Sequence, residues 1–172
     1  MSEARAKRGM PVRYDAPLDM PADRPAVDDD GVRALRREAW RCAVGQGART
    51  VVDPSVREAW EVRSAPGGLP SGAALQVVLD AAAEVLGLGG PVEARFDKLV
   101  VYGPEGHFDA HRDTLRGAGH VATLVVRLRD ADAGGVLWVG EEAVALDRPG
   151  AVASVFLPDV SHGVSPVEEG QR

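Results

Sequence analysis

The residues best suited to chemistry lie in the second half of the chain, where His111 and Asp113 are separated by one residue and His162 follows much later. In an extended segment, positions i and i+2 point to the same side, so His111 and Asp113 can address one ion while Arg112 points away. His162, carried by a later strand, would complete a face of two imidazoles and one carboxylate. Such a face leaves coordination positions vacant and is the ligand set of non-haem Fe(II) centres. A cysteine-rich set would fill or soften the site, and the chain's single cysteine, Cys42, excludes one. A His-x-Asp triplet alone is weak evidence. The later histidine, and an arginine ten positions after it at Arg172, make the joint pattern informative.

These residues need a scaffold, and 172 residues, 45% apolar and 27% charged, suffice for one globular domain. The net charge of −6 disfavours binding to a phosphate backbone, so no nucleic-acid partner is expected. No apolar run approaches the roughly 18 residues of a membrane helix, so no membrane partner is expected either. The basic start Met1–Arg8 has no apolar stretch behind it, and the lone cysteine suits a reducing compartment, so the expected location is the cytoplasm.

Residues 1–30, with Pro11, Pro17, Pro21 and Pro25, read as a flexible arm. Residues 31–172 read as one domain, with helices in 31–90 and a β-sandwich core in 91–172. The first helix is expected from about Asp28 to Val44, with Val32, Leu35, Ala39, Trp40 and Ala43 on one face and Gly45 and Gly47 ending it. A second is expected from an N-cap at Ser71 to the stop at Gly87, with Leu75, Val78, Leu79, Ala82 and Leu86 at helical spacing. Six valine-rich runs then follow between glycine-bearing turns: Lys98–Tyr102, Val121–Leu128, Val136–Val139, Ala143–Leu146, Ala151–Leu157 and Val164–Val167. His107 and His120, beside glycines, are expected in exposed loops. Trp40, Trp60 and Trp138 are expected to pack at least half-buried, and Cys42 to be an inert helix residue.

From Tyr102 onward the pattern resembles the iron(II)- and 2-oxoglutarate-dependent oxygenases, in particular their prolyl-4-hydroxylase-like branch. It consists of Tyr102, Gly106, Phe108, His111-Arg-Asp-Thr114, Thr123-Leu-Val-Val126, Gly134-Gly-Val-Leu137, Asp159-Val-Ser-His162, Pro166-Val167, Gly170 and Arg172. The segment 50–63 also looks like an upstream piece common in bacterial members, though less specifically. The resemblance implies an α+β, mainly β fold: a double-stranded β-helix (jelly-roll) core with supporting N-terminal helices. It implies Fe(II) on His111, Asp113 and His162, with these three as the catalytic residues. Arg172 would take the distal carboxylate of 2-oxoglutarate as a bidentate pair. Tyr102 would donate its hydroxyl to the cosubstrate, and Thr123 would line the same pocket. The implied reaction consumes O2 and 2-oxoglutarate, yields succinate and CO2, and hydroxylates an unactivated C–H bond of a protein side chain or small metabolite. Ascorbate is a candidate accessory reductant. The intact Asp113 speaks against the halogenase variant of the family, which lacks that carboxylate.

In one respect the chain departs from the pattern. Family members continue beyond this arginine to finish a core strand, so the last strand here is expected to be short and Arg172 loosely held. Two other readings of the residues stay open: a catalytically silent jelly-roll binding module, and a cupin-like metalloenzyme that uses no keto acid. The loop Gly103–Asp109 and residues 1–30 are candidate walls for a substrate, whose identity the residues do not specify.

Overall fold

The structure, a computed structural model, describes residues 9–18, 29–63, 70–129, 133–144 and 151–172. Within them lie two helices, α1 (Asp29–Arg37) and α2 (Gly72–Val85), and fifteen short strands. The protein is therefore mainly β.

The centre of the fold is β13 (Ala151–Phe156), buried at every position. Its near-continuous apolar sequence is what a strand covered on both faces requires. Ala151, Ala153 and Val155 face α2 and pack with its Val78, Ala82 and the following Leu86. Val152 and Phe156 point the other way, into a cluster with Leu137, Val139 and Val160. β13 lies between β1 (Arg13–Leu18) and β9 (Thr123–Arg127) in an antiparallel three-stranded sheet. Opposite it is a five-stranded antiparallel sheet in the order β12 (Glu142–Ala143), β11 (Leu137–Val139), β14 (His162–Val164), β8 (His107–His111), β5 (Arg57–Glu58).

Helix α2 follows its apolar period. Ser71 stands at the N-cap with extended backbone but makes no side-chain cap bond. At the other end Leu86 N–H bonds Ala82 O at 2.8 Å, and Gly87 takes the left-handed φ of 57° that closes the helix.

Four expectations are corrected. The supposed arm contains β1, whose six residues pair with β13 from Arg13 opposite Phe156 to Leu18 opposite Ala151. Pro17 fits there because β1 is an edge strand and needs no donor on its open side. The first helix ends at Arg37, because the backbone of β2 (Trp40–Arg41) is captured by β6 (Trp60–Val62). Gly47, with φ 60°, turns the hairpin of β3 (Val44–Gln46) and β4 (Arg49–Val51) and does not stop a helix. Residues 31–90 thus hold five strands besides the two helices.

Four of the six expected runs contain a whole strand, with shifted ends; Ala143–Leu146 and Val164–Val167 hold only strand ends. Lys98–Tyr102 holds β7 (Leu99–Val101), and Val164–Val167 divides between β14 and β15 (Val167–Glu169). Of Ala143–Leu146, only 143 and 144 lie within the described residues. The short β10 (Ala133–Gly134) pairs with β15. The C-terminal end is held more firmly than expected. Arg172 N–H bonds Tyr102 O at 2.9 Å, and Tyr102 N–H bonds Arg172 O at 2.7 Å. Among the described residues, no helix is long and apolar enough to cross a membrane.

Candidate metal centre

The five-stranded sheet places His111 directly opposite His162, at the ends of β8 and β14. Opposite residues of an antiparallel pair send their side chains to the same face, and the two imidazole centroids lie 4.2 Å apart. A register shift in the same pair leaves one extra residue in β8 between His111 and Phe108. This bulge turns Phe108 onto the face of His111, where the rings stack with centroids 3.5 Å apart. Phe156, from β13, backs the His162 ring at 4.7 Å.

Asp113 lies two residues past His111, its N–H bonded to Pro158 O at 3.0 Å. That bond ties it to the turn that leads into β14. Thr123, at the start of β9, donates its hydroxyl to Asp113 Oδ2 at 2.5 Å, leaving Oδ1 at 3.7 Å from His162 Nε2. One ligand atom from each of His111, Asp113 and His162 lies within 4.8 Å of the other two, so the three can hold a metal ion.

The hydrogen bonds around the rings support this. His111 Nδ1 lies 2.9 Å from Asp109 O, and His162 Nδ1 lies 3.0 Å from Val160 O. A carbonyl can only accept, so each Nδ1 carries the proton and each Nε2 keeps its lone pair, the tautomer a metal needs. Burial pushes the His111 imidazole down to about 4, with the neighbouring His162 and Arg57 acting in the same direction. It is therefore neutral and available at physiological pH.

Tyr102 is buried against Cys42, Ala59 and Val167. Burial raises its phenol above the ordinary value, while the guanidinium charges of Arg57 and Arg172 pull it back. Both arginines are therefore electrostatic neighbours of this hydroxyl. Thr123 meets the centre through Asp113.

Of the other singled-out residues, His120 lies beside the centre, with Nε2 3.5 Å from the Thr123 hydroxyl, and the rest lie farther off. His107 is in β8, half-buried, with Nδ1 at 2.9 Å from Glu105 O; this bond is the main cause of its raised pKa. The Gly103–Asp109 segment is thus partly strand. His120 is half-buried, and Arg116 N–H donates to its Nδ1 at 3.3 Å. Cys42 is outside any helix, and burial pushes its thiol up to about 11. Trp40 is 72% exposed, against the packing expected of it.

The residues that reasoning on spacing missed are those behind the ligands. Phe108 and Phe156 support the two rings, and Arg57, from β5, lies 4.2 Å above the Phe108 ring. Phe108 had a signal in the pattern around His111. Arg57 had only the less specific resemblance of the segment 50–63, since its strand is two residues long and pairs with β8 at long range.

Gly163 shows how closely the ligand strands are set. A Cβ there would lie 2.8 Å from Phe108 O and 2.9 Å from Trp138 Cζ2. Gly163→Ala must therefore move β14 away from β8, at a cost of about 1–3 kcal/mol. The expected result is a lowered melting temperature together with about tenfold weaker Fe(II) binding, as a misplaced ligand shell loses affinity. Unchanged metal affinity in a titration would show that the two histidines tolerate separation.

The sequence matches no family model and no curated protein. In three dimensions the chain is similar to a crystal structure of a Pseudomonas putida prolyl-4-hydroxylase, with a TM-score of 0.57 and 19% identity over 99% of this chain and 94% of that one. At that identity the likeness is one of fold. The chain thus has a β-rich fold similar to that of a prolyl-4-hydroxylase, and it carries on that fold a His-Asp-His group able to hold a metal ion.

Proposed function

We propose that the protein is an Fe(II)- and 2-oxoglutarate-dependent oxygenase that hydroxylates an unactivated C–H bond of a protein side chain or small metabolite. The observation that carries this reading is the convergence of His111, Asp113 and His162 within 4.8 Å, with both imidazole Nδ1 atoms bonded to carbonyls. Fold alone would not support an activity, since one architecture hosts many. The strand order β12-β11-β14-β8 agrees with a double-stranded β-helix core, whose second sheet has this interleaving.

In this reading His111, Asp113 and His162 hold Fe(II) and leave vacant positions for the keto acid and O2. The bound iron supplies oxidative decarboxylation of 2-oxoglutarate coupled to hydroxylation. Thr123 holds one Asp113 oxygen, so that the other faces the metal. Asp109 O and Val160 O hold the two rings in orientation. Arg172, bridged through its backbone to Tyr102, takes the far carboxylate, and the Tyr102 hydroxyl bonds the same ligand. Ascorbate would serve only to restore oxidised iron.

The test is direct. Anaerobic addition of Fe(II) and 2-oxoglutarate is expected to give a weak visible charge-transfer band, and addition of O2 is expected to release succinate. Absence of the band would favour a metalloenzyme that uses no keto acid. A band without succinate, across a broad panel of peptides and metabolites, would favour a silent binding module.

A further inference from the structure

His120 is half-buried three residues before Thr123, and each of its ring nitrogens has a partner. Nδ1 lies 3.3 Å from the Arg116 backbone nitrogen, and Nε2 lies 3.5 Å from the Thr123 hydroxyl oxygen. A backbone N–H can only donate, so Nδ1 accepts and the neutral ring carries its proton on Nε2. This tautomer is the opposite of that in His111 and His162, whose Nδ1 atoms donate to carbonyls. The Thr123 hydroxyl has one proton, and it goes to Asp113 Oδ2, because a carboxylate only accepts. Toward His120 that oxygen therefore offers a lone pair, and Nε2–H donates to it. The direction of the chain is fixed: Arg116 N–H to His120, His120 to Thr123, Thr123 to Asp113.

The chain ends on the one carboxylate of the three-residue group. A hydroxyl that accepts from an N–H is a stronger donor in turn, because successive hydrogen bonds polarise one another. His120 thus reinforces the bond that keeps Oδ2 occupied and leaves Oδ1 on the side of His162. The ring also has a fixed base. His120 N–H bonds Gly117 O at 3.1 Å and closes the turn, while the Arg116 guanidinium grips Asp97 through two nitrogens, at 2.6 and 2.9 Å. Both ends of the turn 116–120 are anchored.

We propose that His120 is a positioning residue of the metal centre, acting through the Thr123 hydroxyl to keep Asp113 a one-oxygen ligand. The inference rests on the metal-binding reading of His111, Asp113 and His162 and extends it to a residue outside that group. Without the Nε2 donor, Oδ2 is held by a weaker hydroxyl, and Asp113 is free to turn both oxygens toward the ion. The supporting partner of a ligating carboxylate sets metal affinity in this way without touching the ion.

Titration with Co(II) alone tests this without turnover, because the visible bands of that ion report its coordination number as well as its binding. His120→Leu is expected to weaken Co(II) binding about tenfold, the lower end of the loss for a supporting partner, and to reduce the band intensity as Asp113 adds its second oxygen. His120→Gln restores an N–H donor and is expected to recover both affinity and spectrum. Thr123→Val removes the middle of the chain, so adding His120→Leu to it is expected to change nothing further. An equal loss from His120→Leu with and without the Thr123 hydroxyl overturns the proposal, because the ring would then only brace the turn. An unchanged affinity and spectrum in His120→Leu overturns it too. If the valine variant melts early by circular dichroism, the leucine and glutamine variants decide alone, and identical behaviour of those two overturns the proposal. A wild-type chain that binds no Co(II) overturns the metal reading itself, and that result is visible before any variant is made.

Discussion

Asp113→Ala is expected to abolish turnover and to weaken Fe(II) binding by more than about a hundredfold, beyond the loss typical of a mutated supporting residue. Asp113 is the only anionic member of the three-residue cluster, and the two imidazoles that remain are neutral donors. Its loss also strands the Thr123 hydroxyl, which donates to Oδ2. The fold should survive, because Asp113 is half-buried and lies beyond the end of β8; the expected stability change is within about 1 kcal/mol. Metal titration and thermal melting of the same sample separate the two effects. A variant that still binds Fe(II) tightly would show that the ion is held by other groups.

Phe156→Ala is expected to have the opposite profile, with stability affected first and the site second. Phe156 is fully buried on the inner face of β13, packed with Leu137, Val139 and Val160. Truncating a buried phenylalanine costs about 3–5 kcal/mol, which for a domain of this size lowers the melting temperature by roughly 6–20 °C. The same ring lies 4.7 Å from that of His162, so the cavity opens beside a metal ligand. Weaker metal binding should therefore accompany the thermal shift, even at temperatures where the variant is folded. A large thermal shift with wild-type metal affinity would mean that His162 is held by its bond to Val160 O and not by Phe156.

The difference between these variants reflects what was legible in the chain. Asp113 belongs to a local triplet whose chemistry follows from residue types and a two-residue period. Helix α2 was legible for the same reason, since Leu75, Val78, Leu79, Ala82 and Leu86 repeat at helical spacing. The strands of the first half were not. β1 carries a proline and weak alternation, and it is a strand because β13 offers it a full row of partners. Trp40 fits a helical stripe, yet the backbone of Trp40 and Arg41 bonds to β6 and the Trp40 ring stands in solvent. A local pattern yields when a distant strand edge supplies hydrogen bonds that the helix would otherwise make.

The hold on Arg172 is another case. Nothing in the last few residues announces that the backbone of Arg172 bonds Tyr102 in both directions, because that pairing spans the whole β half. Arg57 is the extreme case, with a two-residue strand, no periodic signal and a guanidinium that burial alone makes noteworthy.

Taken alone, the sequence determined the donor types, the His111–Asp113 spacing and the β-rich character of the second half, because each depends on neighbours a few positions apart. Only the tertiary structure decided that His162 faces His111, that a bulge turns Phe108 behind it, and that Arg57 is buried beside Tyr102. Those outcomes depend on strand register, and register is chosen by packing between segments far apart in the chain.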